Sequence, residues 1–153
     1  MARFGSTAVT AVLRIGLAVL ALAELLIGGW NLLAPENFYA NFPGVNLTPP
    51  FAEHYARDFG GATLGIAIVL VAAAIIPRTV LVIPALLAIS AFAVPHAVFH
   101  LEHLHDVGPD LLLFVVVTTL GEAVAALVLL AVALVRWQRE RSNRTEQVLP
   151  MES

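Results

Sequence analysis

Four long apolar stretches constrain this chain more than any other feature. They cover about residues 12–33, 51–76, 80–104 and 109–137. Each is near the roughly 20 residues a helix needs to cross a bilayer. Hydrocarbon offers no water to a backbone N–H or C=O, so a continuous apolar stretch of this length is read as a helix that satisfies its own backbone. The expected fold is all-α: an integral membrane four-helix antiparallel bundle. Composition agrees, with 59% hydrophobic and 12% charged residues, against about 25% charged in a soluble domain. Residues 1–139 read as one four-helix domain. Residues 140–153 are polar and read as a disordered cytoplasmic tail.

The connections set the order in space. Pro77-Arg78-Thr79 alone separates the second and third stretches, so these form an antiparallel hairpin. The one long connection, residues 34–50, is rich in proline, asparagine and aromatics and reads as an ordered interfacial loop. The first stretch has an arginine before it, but it is long, carries Glu24 and is followed by no convincing small-x-small cleavage site, so it reads as a retained helix rather than a signal peptide.

Arginine is the only basic residue type, and its positions give an orientation. Arg3, Arg14, Arg78, Arg136, Arg139, Arg141 and Arg144 fall at one end of such a bundle. The positive-inside rule makes that end cytoplasmic, with both termini inside. Arg57 alone falls at the opposite end, with Glu53 and Asp58 as its expected partners. No basic stripe points to nucleic acid. The absence of cysteine excludes disulfides, thiolate metal sites and thiol catalysis.

Chemistry concentrates at the outer end. His96, His100 and His103 are spaced i, i+4, i+7 on one helix face. On the second helix His54 and Asp58 share a face, as do Glu53 and Arg57. Glu24 and Glu122 fall nearer mid-depth, so every helix carries an ionisable group. Such groups are costly in a membrane, and the expectation is that they face one another across the bundle. Gly61-x-x-x-Gly65 is a candidate close-approach motif, and Pro95 is expected to kink the third helix beside His96. Trp30 and Tyr39 suit the outer interface and Trp137 the inner one. The blander readings are interfacial placement of His105 and Glu102, a plain Glu53–Arg57 ion pair, and Glu24 and Glu122 as structural hydrogen-bonding groups.

Three functions compete. The leading one is a transition-metal site (Zn, Fe or Cu) or a haem, with His96, His100, His103, His54 and Asp58 as ligands. The chain has too few histidines for a di-iron membrane oxygenase and lacks the His-Glu-x-x-His order of zinc proteases. The second is a metal-free enzyme acting on a lipid, quinone or isoprenoid, with His54 and Asp58 as general base and Arg57 holding a phosphate or carboxylate. The third is a non-catalytic accessory subunit or proton-relay module. Expected partners are membrane lipids and another membrane protein or a second copy of the chain. The aromatic loop Phe38-Tyr39…Phe42-Pro43-Gly44 is a candidate lid.

Asn37-Phe38-Tyr39-Ala40-Asn41-Phe42-Pro43-Gly44, Glu53-His54-Tyr55-Ala56-Arg57-Asp58-Phe59-Gly60-Gly61 and Pro95-His96-Ala97-Val98-Phe99-His100-Leu101-Glu102-His103-Leu104 together resemble a functionally uncharacterised group of small four-helix actinobacterial membrane proteins. That group is itself loosely similar to the DoxX-like class. The resemblance spans roughly residues 10–137. It implies the four-helix architecture and an inner-membrane setting. DoxX-like proteins are associated with membrane redox partners and quinone chemistry, but the cysteine-based sites of some relatives have no counterpart here.

Overall fold

The computed structural model describes residues 2–47, 50–105 and 107–148. Helix α1 spans Ala2–Leu33 and the short α2 spans Pro35–Asn41, followed by a 3-10 turn at Val45–Leu47. Helix α3 spans Glu53–Ile75 and α4 spans Thr79–Glu102. Helix α5 (Pro109–Val115) runs through a π-helical turn, Val116–Leu120, into α6 (Gly121–Val148). Four stretches are long and apolar enough to span a membrane: Thr7–Leu33, Glu53–Ile75, Thr79–Glu102 and Pro109–Thr145. The protein is an all-α, multi-pass membrane bundle.

The helices pack in a ring in chain order. Helix α1 lies against α3, α3 against α4, α4 against α6, and α6 closes on α1. Antiparallel neighbours follow from the short connections. At Ile76–Arg78 the chain reverses, the Arg78 N–H donating to the Ile76 carbonyl (2.7 Å) and the Arg78 carbonyl accepting from Leu81 and Val82 to start α4.

The distribution of residue sizes is that of a lipid-facing protein. Along α1, Val12, Ile15, Val19, Leu22 and Leu26 are exposed at helical spacing, while Leu13, Leu17, Leu20, Ala21 and Glu24 face inward. Much of the core is alanine, including Ala67, Ala73, Ala85, Ala93, Ala97, Ala126 and Ala133. In a bilayer, lipid removes the hydrophobic drive to bury large side chains, so close backbone approach decides which faces meet. Helices α1 and α3 approach backbone to backbone at Gly28 and Gly60. A Cβ on Gly60 would lie 2.6 Å from the Leu32 amide N and 2.7 Å from the Gly28 carbonyl O. This corrects the motif expected from sequence: Gly61 and Gly65 face open space, with no atom within 4 Å of an added Cβ.

A second correction concerns the polar tail. Residues 140–148 continue α6 as helix; residues 149–153 lie outside the described residues. The reason is a set of side-chain contacts that sequence polarity does not reveal. Arg136 Nε donates to Glu140 (2.8 Å), Thr79 Oγ1 on α4 donates to the same carboxylate (2.8 Å), and the Arg141 guanidinium lies 4.8 Å over the Trp137 ring.

Candidate functional site

At the end of the bundle opposite this arginine cluster, the 34–52 connection folds back over the helix ends. The Trp30 indole N–H donates to Asn37 Oδ1 (2.9 Å), which ties α2 to the end of α1. Trp30 meets Phe38 and Phe42 edge-on, Phe38 and Phe42 stack at 4.8 Å, and Phe42 reaches Phe114 on the last helical rod. Gly44 turns the chain at a φ of +88°, in the left-handed region that favours glycine, and lies where an added Cβ would meet Val115 Cγ2 at 3.0 Å. The candidate lid is therefore a wall, held by aromatic contacts.

Behind it lies a cavity of about 550 Å³. Phe38, Phe42, Phe51, Phe59, Phe99 and Phe114 line it, together with Tyr39, Tyr55, Ile27, Ala56 and Val115. These are six of the chain's eight phenylalanines, and their clustering is the sequence signal that a reading centred on histidine missed. The polar lining is sparse: Asn31, Thr118, Thr119, His96 and His100. Asn31 donates its amide to the Ile27 carbonyl (3.0 Å). Thr118 and Thr119 donate to the carbonyls of Phe114 and Val115 at 2.8 Å, satisfying backbone oxygens beside the π turn. Their donors are thus committed, while their oxygens can still accept.

The two histidines differ. Phe92 stacks on His96 with ring centres 5.0 Å apart, and His96 meets His100 edge-on at 4.5 Å. Neither imidazole makes a hydrogen bond among the described residues. A neutral imidazole carries one donor and one acceptor, so this pair presents uncommitted hydrogen-bonding nitrogens to an otherwise apolar chamber.

The remaining expected ligands do not join them. His103 is exposed, stacks on Phe99 (4.2 Å) and places Nδ1 2.7 Å from the Phe99 carbonyl O. His54 and Asp58 pair at 3.2 Å, but their side chains are 84% and 64% exposed and neither lines the cavity. Arg57 is held by Glu53 (2.8 Å) and donates to the Leu32 carbonyl at the end of α1. Among the described residues no three His, Asp or Glu side chains converge to hold a metal ion. His54, Asp58 and His103 are on the right helices, but their faces turn outward. A haem bridged by His96 and His100 also fails on geometry, because two residues one turn apart on one helix cannot reach opposite faces of a macrocycle.

One turn deeper than Ile27 and Thr119, Glu24 and Glu122 meet across α1 and α6 within hydrogen-bonding reach. Glu24 is 1% exposed. Glu24 Oε2, Glu122 Oε1 and the Ser90 hydroxyl are buried without a hydrogen-bond partner among the described residues. The mid-depth acids thus do face one another, as the sequence led us to expect.

No family model, no curated protein and no solved structure matches the chain.

Proposed function

We propose that this membrane protein binds a lipid-soluble molecule with a flat, oxygen-bearing head, of the quinone or isoprenoid class, in the aromatic cavity. The observation that carries the reading is a chamber of about 550 Å³ walled by phenylalanines, with His96 and His100 as its uncommitted polar groups. Ligand sites are typically apolar cavities of roughly 300–1,000 Å³ with a few convergent polar groups. Ring faces stack on the aromatics, imidazole N–H donors meet carbonyl or hydroxyl oxygens, and an apolar tail lies in the bilayer. Seven of the eight arginines support an orientation with the cavity toward the outer leaflet and both termini cytoplasmic. The transition-metal reading keeps only His96 and His100 as candidate ligands.

Trp30 is a built-in reporter, since it touches Phe38 and Phe42 of the cavity wall. With the other tryptophan removed (Trp137→Phe), titration of the detergent-solubilised protein with a short-chain benzoquinone or naphthoquinone should give saturable quenching at one equivalent. Ala56→Phe, which fills the cavity, should abolish saturation. His96→Ala with His100→Ala should weaken binding about tenfold, the worth of one hydrogen bond of 1–1.5 kcal/mol. Quenching that rises linearly and is the same in Ala56→Phe overturns the proposal. Stoichiometric metal in the untagged protein, lost in the double histidine variant, would replace it with the metal reading.

A further inference from the structure

The arginine-bearing end holds a second cavity, of about 720 Å³, between the start of α4 and the last turns of α6. Arg78, Arg136, Arg141 and Arg144 line it around a single carboxylate, Glu140. That carboxylate is already committed: it accepts from Arg136 Nε and from Thr79 Oγ1, both at 2.8 Å, and so braces α6 against α4. Arg141 is spread over Trp137. The guanidinium groups of Arg78 and Arg144 make no hydrogen bond and no ion pair within 4 Å among the described residues. The cavity is therefore cationic, with two guanidinium groups that make no close contact of their own and a braced frame. Arginine's planar fork of donors matches phosphate oxygens.

Depth and wall chemistry decide which phosphate. Pro109 and Arg136 lie on one continuous helical rod, and at 1.5 Å per residue they are about 40 Å apart. A bilayer with its headgroup layers is also about 40–45 Å thick. A rod that enters at one headgroup layer near Pro109 leaves through the other near Arg136. Beyond the arginines the cavity wall becomes apolar, through Val80, Ile83 and Pro84. Val80 is 74% exposed on the lipid-facing surface. A cationic pocket that grades into a greasy groove fits a molecule with an anionic head and acyl chains. Basic pockets between transmembrane helices on the cytoplasmic side are a known form of anionic headgroup site.

We propose that this cavity is a binding site for an anionic phospholipid of the arginine-side leaflet, with Arg78 and Arg144 gripping its phosphate and Val80, Ile83 and Pro84 carrying an acyl chain. Arg136 is a positioning residue, holding Glu140 and through it Thr79.

The test uses the full chain in mild non-ionic detergent, with bound lipid read by native mass spectrometry. Phosphatidylglycerol and phosphatidylcholine are offered at equal concentration, with inorganic phosphate added in a separate arm. Phosphatidylglycerol should be retained preferentially at one molecule per chain. Removing an interfacial arginine costs roughly fivefold in affinity for an anionic lipid. Arg78→Gln with Arg144→Gln should therefore lower phosphatidylglycerol retention on the order of twentyfold. Arg139→Gln, outside the cavity, should leave it unchanged. Arg78→Lys with Arg144→Lys keeps the charge and guards against misfolding, and should hold the preference within a few-fold. Equal retention of the two lipids overturns the proposal, as does an unchanged preference in the double Gln variant or an equal loss in Arg139→Gln. Displacement of the lipid by millimolar inorganic phosphate would make the ligand a soluble phosphate and overturn the lipid assignment.

Discussion

Replacing Gly60 by alanine tests the packing that sets the half of the bundle nearer the aromatic cavity. The new methyl would meet the Leu32 amide N at 2.6 Å and the Gly28 carbonyl O at 2.7 Å, whereas ordinary contact begins at 3.4 Å. The shortfall is about 0.8 Å, and both neighbours are backbone, so no side chain can swing aside. Helices α1 and α3 must separate. Overpacking of this kind costs about 1–3 kcal/mol. Glycine to alanine inside a helix returns about 0.5–1 kcal/mol through backbone entropy. The net expectation for Gly60→Ala is a loss of about 1–2 kcal/mol, or a 5–30-fold fall in the folded-to-unfolded ratio. Gly61→Ala and Gly65→Ala face open space and should show only the favourable part. Gly28→Ala, with its nearest contacts at 3.0 and 3.1 Å, should fall between. Reversible unfolding in mixed dodecyl maltoside and dodecyl sulfate micelles reads all four. If Gly60→Ala is as stable as Gly61→Ala, the helices do not approach at that residue and the packing argument fails.

Three further outcomes are expected. His54→Asn and Asp58→Asn should leave quinone quenching of Trp30 unchanged, because both side chains lie outside the cavity; a tenfold loss in the same titration would put them back in the site. Glu24→Gln gives Glu122 an amide donor and should hold stability within about 0.5 kcal/mol. Glu24→Leu removes the one polar group known to act on the Glu122 carboxyl and should cost about 1–3 kcal/mol in the same micelle titration. Arg57→Gln breaks an exposed pair with Glu53 and a contact to the Leu32 carbonyl, and should cost under about 1 kcal/mol, with helix content by circular dichroism unchanged.

The four spans, the Pro77-Arg78-Thr79 reversal and the ordering of the aromatic loop were legible in the sequence because length and composition alone decide them. Facing was not. On a helix in a soluble protein, the apolar stripe marks the buried face. Here Val19 and Leu22 face out while Leu17 and Leu20 face in, and nothing in their hydrophobicity separates them. Only rare residues mark the inner face. Glu24, Glu122 and His96 did so correctly. His54 and Asp58 did not, because they lie in the first turns of α3, where a polar side chain costs little when exposed. Gly60 was indistinguishable from Gly61 by residue type, and only the backbone of α1 beside it separates their roles. Polarity beyond residue 139 suggested a loose tail, whereas Glu140 is braced from another helix.

The π turn at Val116–Leu120 has one further consequence. A π turn stores one residue more than the α turn it interrupts, and such turns recur at functional sites. Helix α5 is therefore out of phase with α6 by about 100°, one residue's worth of rotation. Expelling that residue toward the 103–108 connection would swing Phe114 and Val115 off the cavity wall without melting the rod. Thr118 and Thr119 lie within this turn, and their hydroxyls satisfy the Phe114 and Val115 carbonyls beside it. The register that aims Phe114 and Val115 at the chamber is thus set by the π turn and not by α6 alone.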